Sequence, residues 1–309
     1  MNKIHKKGLV FGSLNIDYVY QVDHCVRPGE TISSESLSYH CGGKGVNQAI
    51  ALAKAGANVS MAGRIGEDGI WLKETCKKYG VDTEKMMIAD CPTGKAIIQV
   101  DRNGQNCILL YAGANKEQKK EDITKVLDGF ESGDYLFLQN EINEIPFLIE
   151  EGYNRNMKIV LNPSPFEPEI MDYGLDKLDW LILNEIEAEQ MTGEKNSEKM
   201  LEKLQNISPN AGIVLTFGAD GAMCVKDGKK HWQDSFPCEA IDTTAAGDTF
   251  TGYFFSEIMK NEEQIPKALK LAARAASVTV SRQGAAEAIP VYSELKEQKG
   301  KEDEKRIKI

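Results

Sequence analysis

The sequence predicts an α/β fold in which a mostly parallel central sheet is flanked by helices and accompanied by a small second β-sheet. Short apolar segments typical of buried strands alternate with segments of helical periodicity over most of the chain. This alternation is interrupted by the segments 95–100 and 106–111, which are joined through Asn103-Gly104, a sequence typical of β-hairpins. Because hairpin strands are antiparallel, they belong to a separate sheet.

The individual elements follow from local patterns. Residues 8–12 form an apolar strand, and polar and apolar residues alternate over residues 13–20, as in a half-buried strand. An Ala-rich helix ends at Gly56, and Pro266 begins another helix. Further strands are expected at 58–62, 135–138, 158–161, 180–183 and 213–216, and further helices after Asp68, from Glu121, near 144–156 and from within 242–252.

Composition excludes several classes of function. The chain has 309 residues, which is enough for one large domain, and its net charge of −10 argues against a nucleic acid or an anionic membrane as partner. It contains no apolar run of about 18 residues that could span a bilayer. The seven cysteines are scattered without a C-x-x-C pair, which favours reduced thiols in the cytoplasm. The four histidines are isolated, so we expect no structural metal.

Two stretches near the N-terminus are suited to binding a small polar ligand. Asn15 and Asp17 share one face of a strand and could hydrogen-bond the hydroxyls of a polyol, or could simply face solvent. The helix start Gly42-Gly43-Lys44-Gly45-Val46-Asn47 lets backbone approach a ligand closely, with Lys44 and Asn47 as donors. It is not a Walker A loop, because Gly45 stands where Ser or Thr would follow the lysine.

The stretch from Asp242 to Gly252 predicts a helix that begins among small polar residues. The free N–H groups of Ala245, Ala246 and Gly247 could bind a phosphate, and Asp248 beside them could accept a proton from an attacking hydroxyl. The alternative is a capped helix, with Asp242 or Thr244 as the cap. The local pattern favours neither interpretation.

Polar residues also follow the predicted parallel strands, at the edge where such sheets bind ligands. Glu141 follows one strand. Asn184 and Glu187 follow another and could organise Mg²⁺ around a nucleotide, or cap their own helix. The turn at Thr216, Gly218 and Gly221 could contact a nucleotide through its backbone, or could merely connect two strands.

Taken together, these stretches resemble the ribokinase family of sugar kinases, the PfkB superfamily, from about Gly8 to Pro290. The motifs that carry the resemblance are Gly42-Gly43-Lys44-Gly45-Val46-Asn47-Gln48-Ala49, Asn184-Glu185-Ile186-Glu187 and Asp242-Thr243-Thr244-Ala245-Ala246-Gly247-Asp248-Thr249-Phe250. Asn15-x-Asp17, Ala112-Gly113-Ala114-Asn115 and Asn162-Pro163-Ser164-Pro165 are most similar to the ribokinase branch. The resemblance implies a three-layer α/β/α sandwich, formed as a single domain over 1–309, with lid strands from about 15–40 and 94–112.

The resemblance also implies a role for each motif. Asp248 would be the catalytic base, with Ala245, Ala246 and Gly247 as the anion hole. The sugar would be held by Asn15, Asp17, Gly43, Lys44, Asn47 and Glu141 together with Asp248. ATP would be held by Asn184, Thr216, Gly218, Gly221 and Gly247, with Glu187 organising Mg²⁺ and phosphate.

Two further properties are implied by the family. A monovalent cation, K⁺, would lie near Asp242, Thr244, Thr279, Arg282 and Gly284. Ala288 stands where many members supply a serine hydroxyl, so we expect a weaker K⁺ site. A homodimer through the lid would suit the hairpin residues Ile97, Ile108 and Leu110, although closure of the lid over substrate explains the same residues. The charged segment 294–309 is expected to be a solvated tail.

The expected activity is ATP-dependent phosphorylation of the 5-hydroxyl of D-ribose. The alternatives within the superfamily are a fructokinase, a 2-keto-3-deoxygluconate kinase and a nucleoside kinase. A sugar-binding regulator without catalysis is disfavoured, because the base and the anion-hole residues are all present. A nicotinamide-dependent dehydrogenase is disfavoured because Asn15-Ile16-Asp17 stands where a G-x-G-x-x-G turn would be required.

Overall fold

A computed structural model of the protein describes residues 6–295. Its strands are Gly8–Phe11 (β1), Asn15–Gln21 (β2), Ser36–Gly42 (β3), Val59–Ile65 (β4), Met86–Ile88 (β5), Gly94–Val100 (β6), Asn106–Tyr111 (β7), Tyr135–Gln139 (β8), Lys158–Asn162 (β9), Trp180–Asn184 (β10), Gly212–Thr216 (β11), Gly221–Lys226 (β12) and Lys229–Asp234 (β13). Its α-helices are Lys44–Lys54 (α1), Ile70–Lys78 (α2), Lys120–Leu127 (α3), Ile145–Asn154 (α4), Glu185–Thr192 (α5), Ser197–Ile207 (α6), Ala246–Ile258 (α7) and Ile265–Val280 (α8). Most of the expected charged tail lies outside the described residues.

The large sheet has nine strands in the order β13-β12-β11-β10-β9-β8-β1-β4-β5. Neighbouring strands are parallel from β5 to β11, and β12 alone runs against them, so the predicted mostly parallel sheet is confirmed. β13, α6 and β5 were not expected from the sequence. β13 lacks the apolar alternation of a half-buried strand, because it is the exposed edge of the sheet.

Helices cover both faces of this sheet and make three layers. Residues alternate along each strand, so Val10 packs into the core beneath α1, α7 and α8, while Leu9 and Phe11 pack into the core beneath α3 to α6. Among the described residues, no helix is long and apolar enough to cross a membrane.

Helix α7 is buried on every side and not on a single face. The spacing of Phe250, Tyr253, Phe254 and Ile258 predicts an amphipathic helix, yet every residue from Asp248 to Ile258 is buried. The reason is that α7 lies between α1 and α8 and over the sheet. Its aromatic residues stack edge-on against the sheet, with the Phe254 and Phe255 rings 5.7 and 5.6 Å from that of Trp180.

The small sheet has the order β3-β2-β6-β7. Its inner strands β2 and β6 are parallel, and the two outer pairs are antiparallel. Every residue of the edge strand β7 is exposed. Ile97 lies opposite Leu109, and Ile108 lies opposite Ile98, so Ile97 faces the other side of the sheet from Ile108 and Leu110. The three residues therefore do not form one apolar surface.

Candidate active site

A cavity of about 210 Å³ lies where the carboxyl ends of β9, β10 and β11 meet the N-terminus of α7. Most of the residues expected to handle phosphate line it, together with Asn162 and Ser164, to which the sequence analysis gave no role. The lining residues are Lys44, Asn162, Ser164, Ile182, Leu183, Asn184, Glu187, Thr216, Thr243, Ala245, Ala246, Gly247, Asp248 and Thr251.

The N-terminus of α7 has the geometry of an anion site. Its N-cap residue, Ala245, has left-handed backbone angles (φ 59°, ψ 10°) and no capping side chain. The first intrahelical hydrogen bond runs from Thr249 N–H to Ala245 C=O at 2.8 Å, so the amides of Gly247 and Asp248 precede it. Ala246 N–H makes only a 3.3 Å bond to Thr243 C=O. A left-handed alanine is costly, and such strain clusters at functional sites.

The capping interpretation of Asp242 and Thr244 is wrong for this helix. The Asp242 carboxylate accepts the N–H of Thr244 at 2.9 Å and the N–H of Gly284 at 3.0 Å, and neither donor belongs to α7. Partial burial raises the pKa of Asp242, but these hydrogen bonds outweigh burial and hold the pKa below its ordinary value. Asp242 is therefore an ionised link between two loops.

Close packing of α1 against α7 positions Asp248. A Cβ on Gly252 would lie 2.4 Å from Ala51 Cβ, so only glycine permits this approach of the two helices. As a result, Asn47 Nδ2 donates to Asp248 Oδ2 at 3.3 Å and Gln48 Nε2 donates to Asp248 Oδ1 at 3.0 Å. The motif that contains Gln48 was recognised in the sequence, but no function was assigned to its glutamine.

A polar region suited to binding hydroxyls lies near the N-terminus of α1, where Asn15 pairs with Gly42. Asn47 Oδ1 is buried and has no hydrogen-bond partner among residues 6–295. Asn15 is buried, and its Oδ1 accepts from Asn115 Nδ2 at 2.7 Å. Asn115 in turn accepts the backbone N–H of Leu14 at 3.0 Å, which fixes its amide. A buried acceptor without a partner costs free energy, so the Asn47 oxygen indicates a ligand with a donor there.

Glu141 joins this polar region to the N-terminus of α1. Its Oε2 accepts the Lys44 N–H at 3.0 Å and the Ser13 hydroxyl. Burial lowers the pKa of the Lys44 ammonium, but three neighbouring carboxylates outweigh burial and raise the pKa above its ordinary value. In decreasing order of effect these belong to Asp248, Glu141 and Glu187. Lys44 is therefore charged, and it lines the cavity.

Asp17 has a strongly perturbed carboxyl. Burial raises its pKa most, and the charges of Glu141 and Glu287 add to this, giving a pKa of about 7. Asp17 lies opposite Ala96 on one side and His40 on the other in the small sheet. Its charge state therefore changes near neutral pH.

Asn184 and Glu187 form a complete capping box at the start of α5. Asn184 Oδ1 accepts Glu187 N–H at 2.9 Å, and Glu187 Oε2 accepts Asn184 N–H at 3.0 Å. Both residues also line the cavity. The capping interpretation is thus correct, and the second carboxylate oxygen of Glu187 has no hydrogen-bond partner among residues 6–295. Of the predicted nucleotide turn, Thr216 lines the cavity, whereas Gly218 and Gly221 lie beyond it.

The residues expected to hold a monovalent cation come from the loop before α7, the last turn of α8 and the loop that follows α8. Asp242 binds the Gly284 amide, and the N–H groups of Ile241 and Asp242 donate to Val280 C=O at 2.7 and 3.1 Å. Thr279 C=O already accepts the Arg282 N–H at 3.0 Å, which leaves it one further lone pair. Ala288 is 1% exposed and supplies no hydroxyl.

Comparison with known proteins assigns the chain to a family. The model for pfkB family carbohydrate kinases matches residues 5–291. This chain belongs to the pfkB family of carbohydrate kinases. A ribokinase of Staphylococcus aureus (strain COL) is 33% identical to this pfkB kinase over 300 residues, which cover 94% of this chain and 98% of the relative.

Solved ribokinases confirm the predicted fold of this pfkB kinase. The ribokinase of Cryptococcus neoformans, determined with ADP, is 35% identical, with a TM-score of 0.81 over 95% of this chain and 99% of that one. The ribokinase of Arabidopsis thaliana, determined with ribose and ATP, is 27% identical, with a TM-score of 0.86 over 95% and 98%. The three-layer architecture and the accompanying small sheet are those of ribokinases.

Proposed function

We propose that this protein is an ATP-dependent sugar kinase that transfers the γ-phosphoryl group of ATP to the 5-hydroxyl of D-ribose, giving D-ribose 5-phosphate and ADP. One observation supports the proposal: Asp248 lies in the first turn of α7 beside amides that can hold an anion, and it accepts from Asn47, whose own oxygen is buried without a partner among the described residues. The match to ribokinases over nearly the whole chain favours ribose over fructose, 2-keto-3-deoxygluconate or a nucleoside.

Each group of residues has one task in the transfer. Asp248 accepts the proton of the 5-hydroxyl as its oxygen attacks phosphorus. The amides of Ala245, Ala246 and Gly247 and the Lys44 ammonium stabilise the negative charge that develops on the transferred group. Asn15, Asp17, Gly43, Asn47 and Glu141 hold the sugar so that its 5-hydroxyl faces Asp248. Thr216 and Asn184 contact the nucleotide, with backbone of Gly218 and Gly221 at the outer end.

Glu187 has the chemistry to organise Mg²⁺. One of its oxygens closes the capping box, and the other remains for water around a metal bound to nucleotide phosphates. When bound, Mg²⁺ would neutralise phosphate charge during transfer.

Two substitutions at Glu187 distinguish its role in capping α5 from the proposed role of its negative charge in organising Mg²⁺. Glu187→Gln keeps an oxygen that can accept Asn184 N–H, so we expect unchanged thermal stability but a lower kcat and a higher Mg²⁺ requirement. Glu187→Ala also loses the cap, which costs about 1 kcal/mol. Thermal melts and Mg²⁺ titrations of activity measure both effects. A Gln variant with the wild-type Mg²⁺ dependence would show that Glu187 is only a cap.

The perturbed Asp17 predicts a pH effect on sugar binding. Its pKa is raised to about 7, so the free enzyme carries a protonated Asp17 below that pH and an ionised, hydrogen-bond-accepting one above it. We expect kcat/KM for ribose to fall as pH drops below about 7, because this parameter reports the free enzyme. Asp17→Asn should remove the fall in kcat/KM at low pH and should lower the maximum value of kcat/KM. If Asp17→Asn kept the fall in kcat/KM at low pH, that fall would be due to another ionisable group.

We infer that K⁺ activates the enzyme from a site near Asp242, Thr244, Thr279, Arg282 and Gly284. An ionised Asp242 suits such a cation, and backbone oxygens can complete the site because they do not depend on residue identity. Activity should therefore be higher in K⁺ than in a buffer free of Na⁺ and K⁺, and Ala288→Ser should lower the K⁺ concentration for half-activation. Equal activity in both buffers would refute the site.

We also infer that the small sheet is a lid and joins two protomers in a homodimer. Ile108 is 55% exposed and Leu109 is 66% exposed, and they lie on opposite faces of β7. Closure over substrate covers one face only, so an apolar residue on each face favours an additional partner. An enzyme that consumes ATP would work in the cytoplasm, which the scattered cysteines also favour.

A coupled assay of ADP release tests the proposed activity. The purified protein is incubated with ATP, Mg²⁺ and K⁺ and a panel of pentoses, hexoses and nucleosides. We expect ribose to give the highest kcat/KM. A higher value with fructose, 2-keto-3-deoxygluconate or a nucleoside would reassign the substrate, and ADP release with none of them, together with measurable ribose binding, would indicate a non-catalytic regulator.

A further inference from the structure

Two buried glutamines lie behind Asp248 and have no part in the reaction as described above. Gln48 on α1 is 1% exposed, and Gln139 at the end of β8 is 0% exposed. Gln139 Nε2 donates to Gln48 Oε1 at 2.7 Å, and Gln48 Nε2 donates to Asp248 Oδ1 at 3.0 Å. The three side chains form a continuous chain of hydrogen bonds that ends on the carboxylate.

The Asp248 carboxylate, which can only accept, sets the direction of this chain, and Gln139 supports it. An amide can present either its oxygen or its NH₂ group to a neighbour. Because Gln139 donates to the Gln48 oxygen, Gln48 must turn its NH₂ group toward Asp248, where the reverse orientation would place an amide oxygen against a carboxylate oxygen. Both glutamines are buried, where an unfavourable contact of this kind is costly.

The sheet holds the chain in place. Gln139 is the last residue of β8 and pairs in register with Asn162 of β9. Asn162 Oδ1 also accepts from Gln48 Nε2 at 3.3 Å, while Asn162 Nδ2 donates to Ile182 C=O at 2.9 Å. Residues at the ends of β8 and β9 therefore hold the Gln48 amide in the orientation that donates to Asp248.

We propose that Gln48, oriented by Gln139, is a positioning residue for phosphoryl transfer that fixes the Asp248 carboxylate in the rotamer whose Oδ2 faces the acceptor hydroxyl. Oδ1 takes the shorter bond, from Gln48 at 3.0 Å, and Oδ2 takes only a 3.3 Å bond from Asn47, which leaves Oδ2 as the oxygen that receives the proton. The inference rests on the proposed function, in which Asp248 is the base. A base held in the productive geometry accelerates transfer without binding substrate more tightly.

Steady-state kinetics of three variants test the proposal. Gln48→Met keeps the length of the side chain and removes the donor, so we expect kcat to fall by about 10-fold or more, with the KM for ribose nearly unchanged, since only the geometry of the base is lost. Gln139→Met frees the Gln48 amide to turn and should lower kcat less. The double variant should be no slower than Gln48→Met alone, because both changes break one chain.

Thr192→Val is the matched control. It also removes a buried side-chain hydrogen bond, from Thr192 Oγ1 to Ala188 C=O at 2.6 Å on α5, and it should lower thermal stability without changing kcat. Should Gln48→Met fail to fold, Gln48→Glu supplies the test, because it has the same shape and places an acceptor against Asp248. Equal kcat values for the wild type and either Gln48 variant, or a rise in KM alone, would overturn the proposal.

Crystal structures of the wild type and Gln48→Met can show whether Gln48 positions Asp248 even if the proposed kinase activity is not found. If the wild type transfers no phosphoryl group to any sugar, the proposed function fails, but the orientation of Asp248 can still be compared. We expect one Asp248 rotamer in the wild type and a different rotamer, or several, in Gln48→Met. A single unchanged rotamer in the variant would show that Gln48 does not position the carboxylate.

Discussion

Asp248→Asn is expected to lower kcat by about 10²–10⁴-fold, the range typical of losing a general base. The variant should keep its fold and its affinity for ribose. An asparagine at position 248 has the same shape, and its Oδ1 can still accept from Gln48 Nε2. Its new NH₂ group would face Asn47, which can turn its amide and offer the Oδ1 that has no partner among the described residues.

Stopped assays of ADP release and calorimetry of ribose binding measure the two halves of this prediction. A thermal melt of Asp248→Asn serves as the control for folding. The assignment of the base would fail if the variant retained turnover within a few-fold of the wild type. It would also fail if kcat and ribose affinity fell together, because Asp248 would then act by binding the sugar.

Gly247→Val is expected to abolish most turnover while leaving the protein folded. A Cβ at position 247 meets nothing within 4 Å, so the substitution removes no packing. The side chain would instead occupy the space through which a phosphate reaches the amides at the N-terminus of α7. We expect kcat/KM for ATP to fall by about 10²-fold or more, as when a donor to a transition-state anion is lost.

Gly252→Ala, five residues further along α7, is the matched comparison. There the added Cβ would lie 2.4 Å from Ala51 Cβ, so the helices must separate and the melting temperature should fall. Gly247→Val should melt at or above the wild-type temperature, because glycine is a poor helix former. Normal ATP kinetics in Gly247→Val would mean that no phosphate approaches this helix terminus.

The inner strands of the main sheet could be predicted because each is a short apolar run followed by polar residues, whereas its edge strands β5 and β13 could not. Those polar residues predicted a binding edge, and Asn184, Glu187 and Thr216 do line a cavity there. The roles of the site residues in catalysis and binding stay predictions. The spacing of Asn184 and Glu187 could not distinguish a helix cap from a Mg²⁺ site. One oxygen of Glu187 accepts the Asn184 N–H in the cap, and the same carboxylate can still present its other oxygen to the cavity.

The features that could not be predicted depend on contacts between distant segments. Gln48 and Gln139 are 91 residues apart, and nothing in either local sequence indicates that one donates to the other. The pKa of Asp17 is raised first by burial and then by the charges of Glu141 and Glu287, which are distant from it in the sequence. The burial of α7 on every side required knowing that α1 and α8 both pack on it. Hydrophobic periodicity identifies a helix that buries one face. A helix packed between two others buries all of its faces, so such periodicity cannot reveal its full burial.

The most direct test of the central claim compares ribose with 5-deoxyribose in the ADP-release assay. The two sugars differ only in the hydroxyl that is proposed to lose its proton to Asp248 and receive the phosphoryl group. We predict ADP release and ribose 5-phosphate from ribose, identified by ³¹P NMR, and no ADP above the sugar-free rate from 5-deoxyribose. Phosphorylation of 5-deoxyribose, or a product of ribose phosphorylated at any other position, would contradict the account.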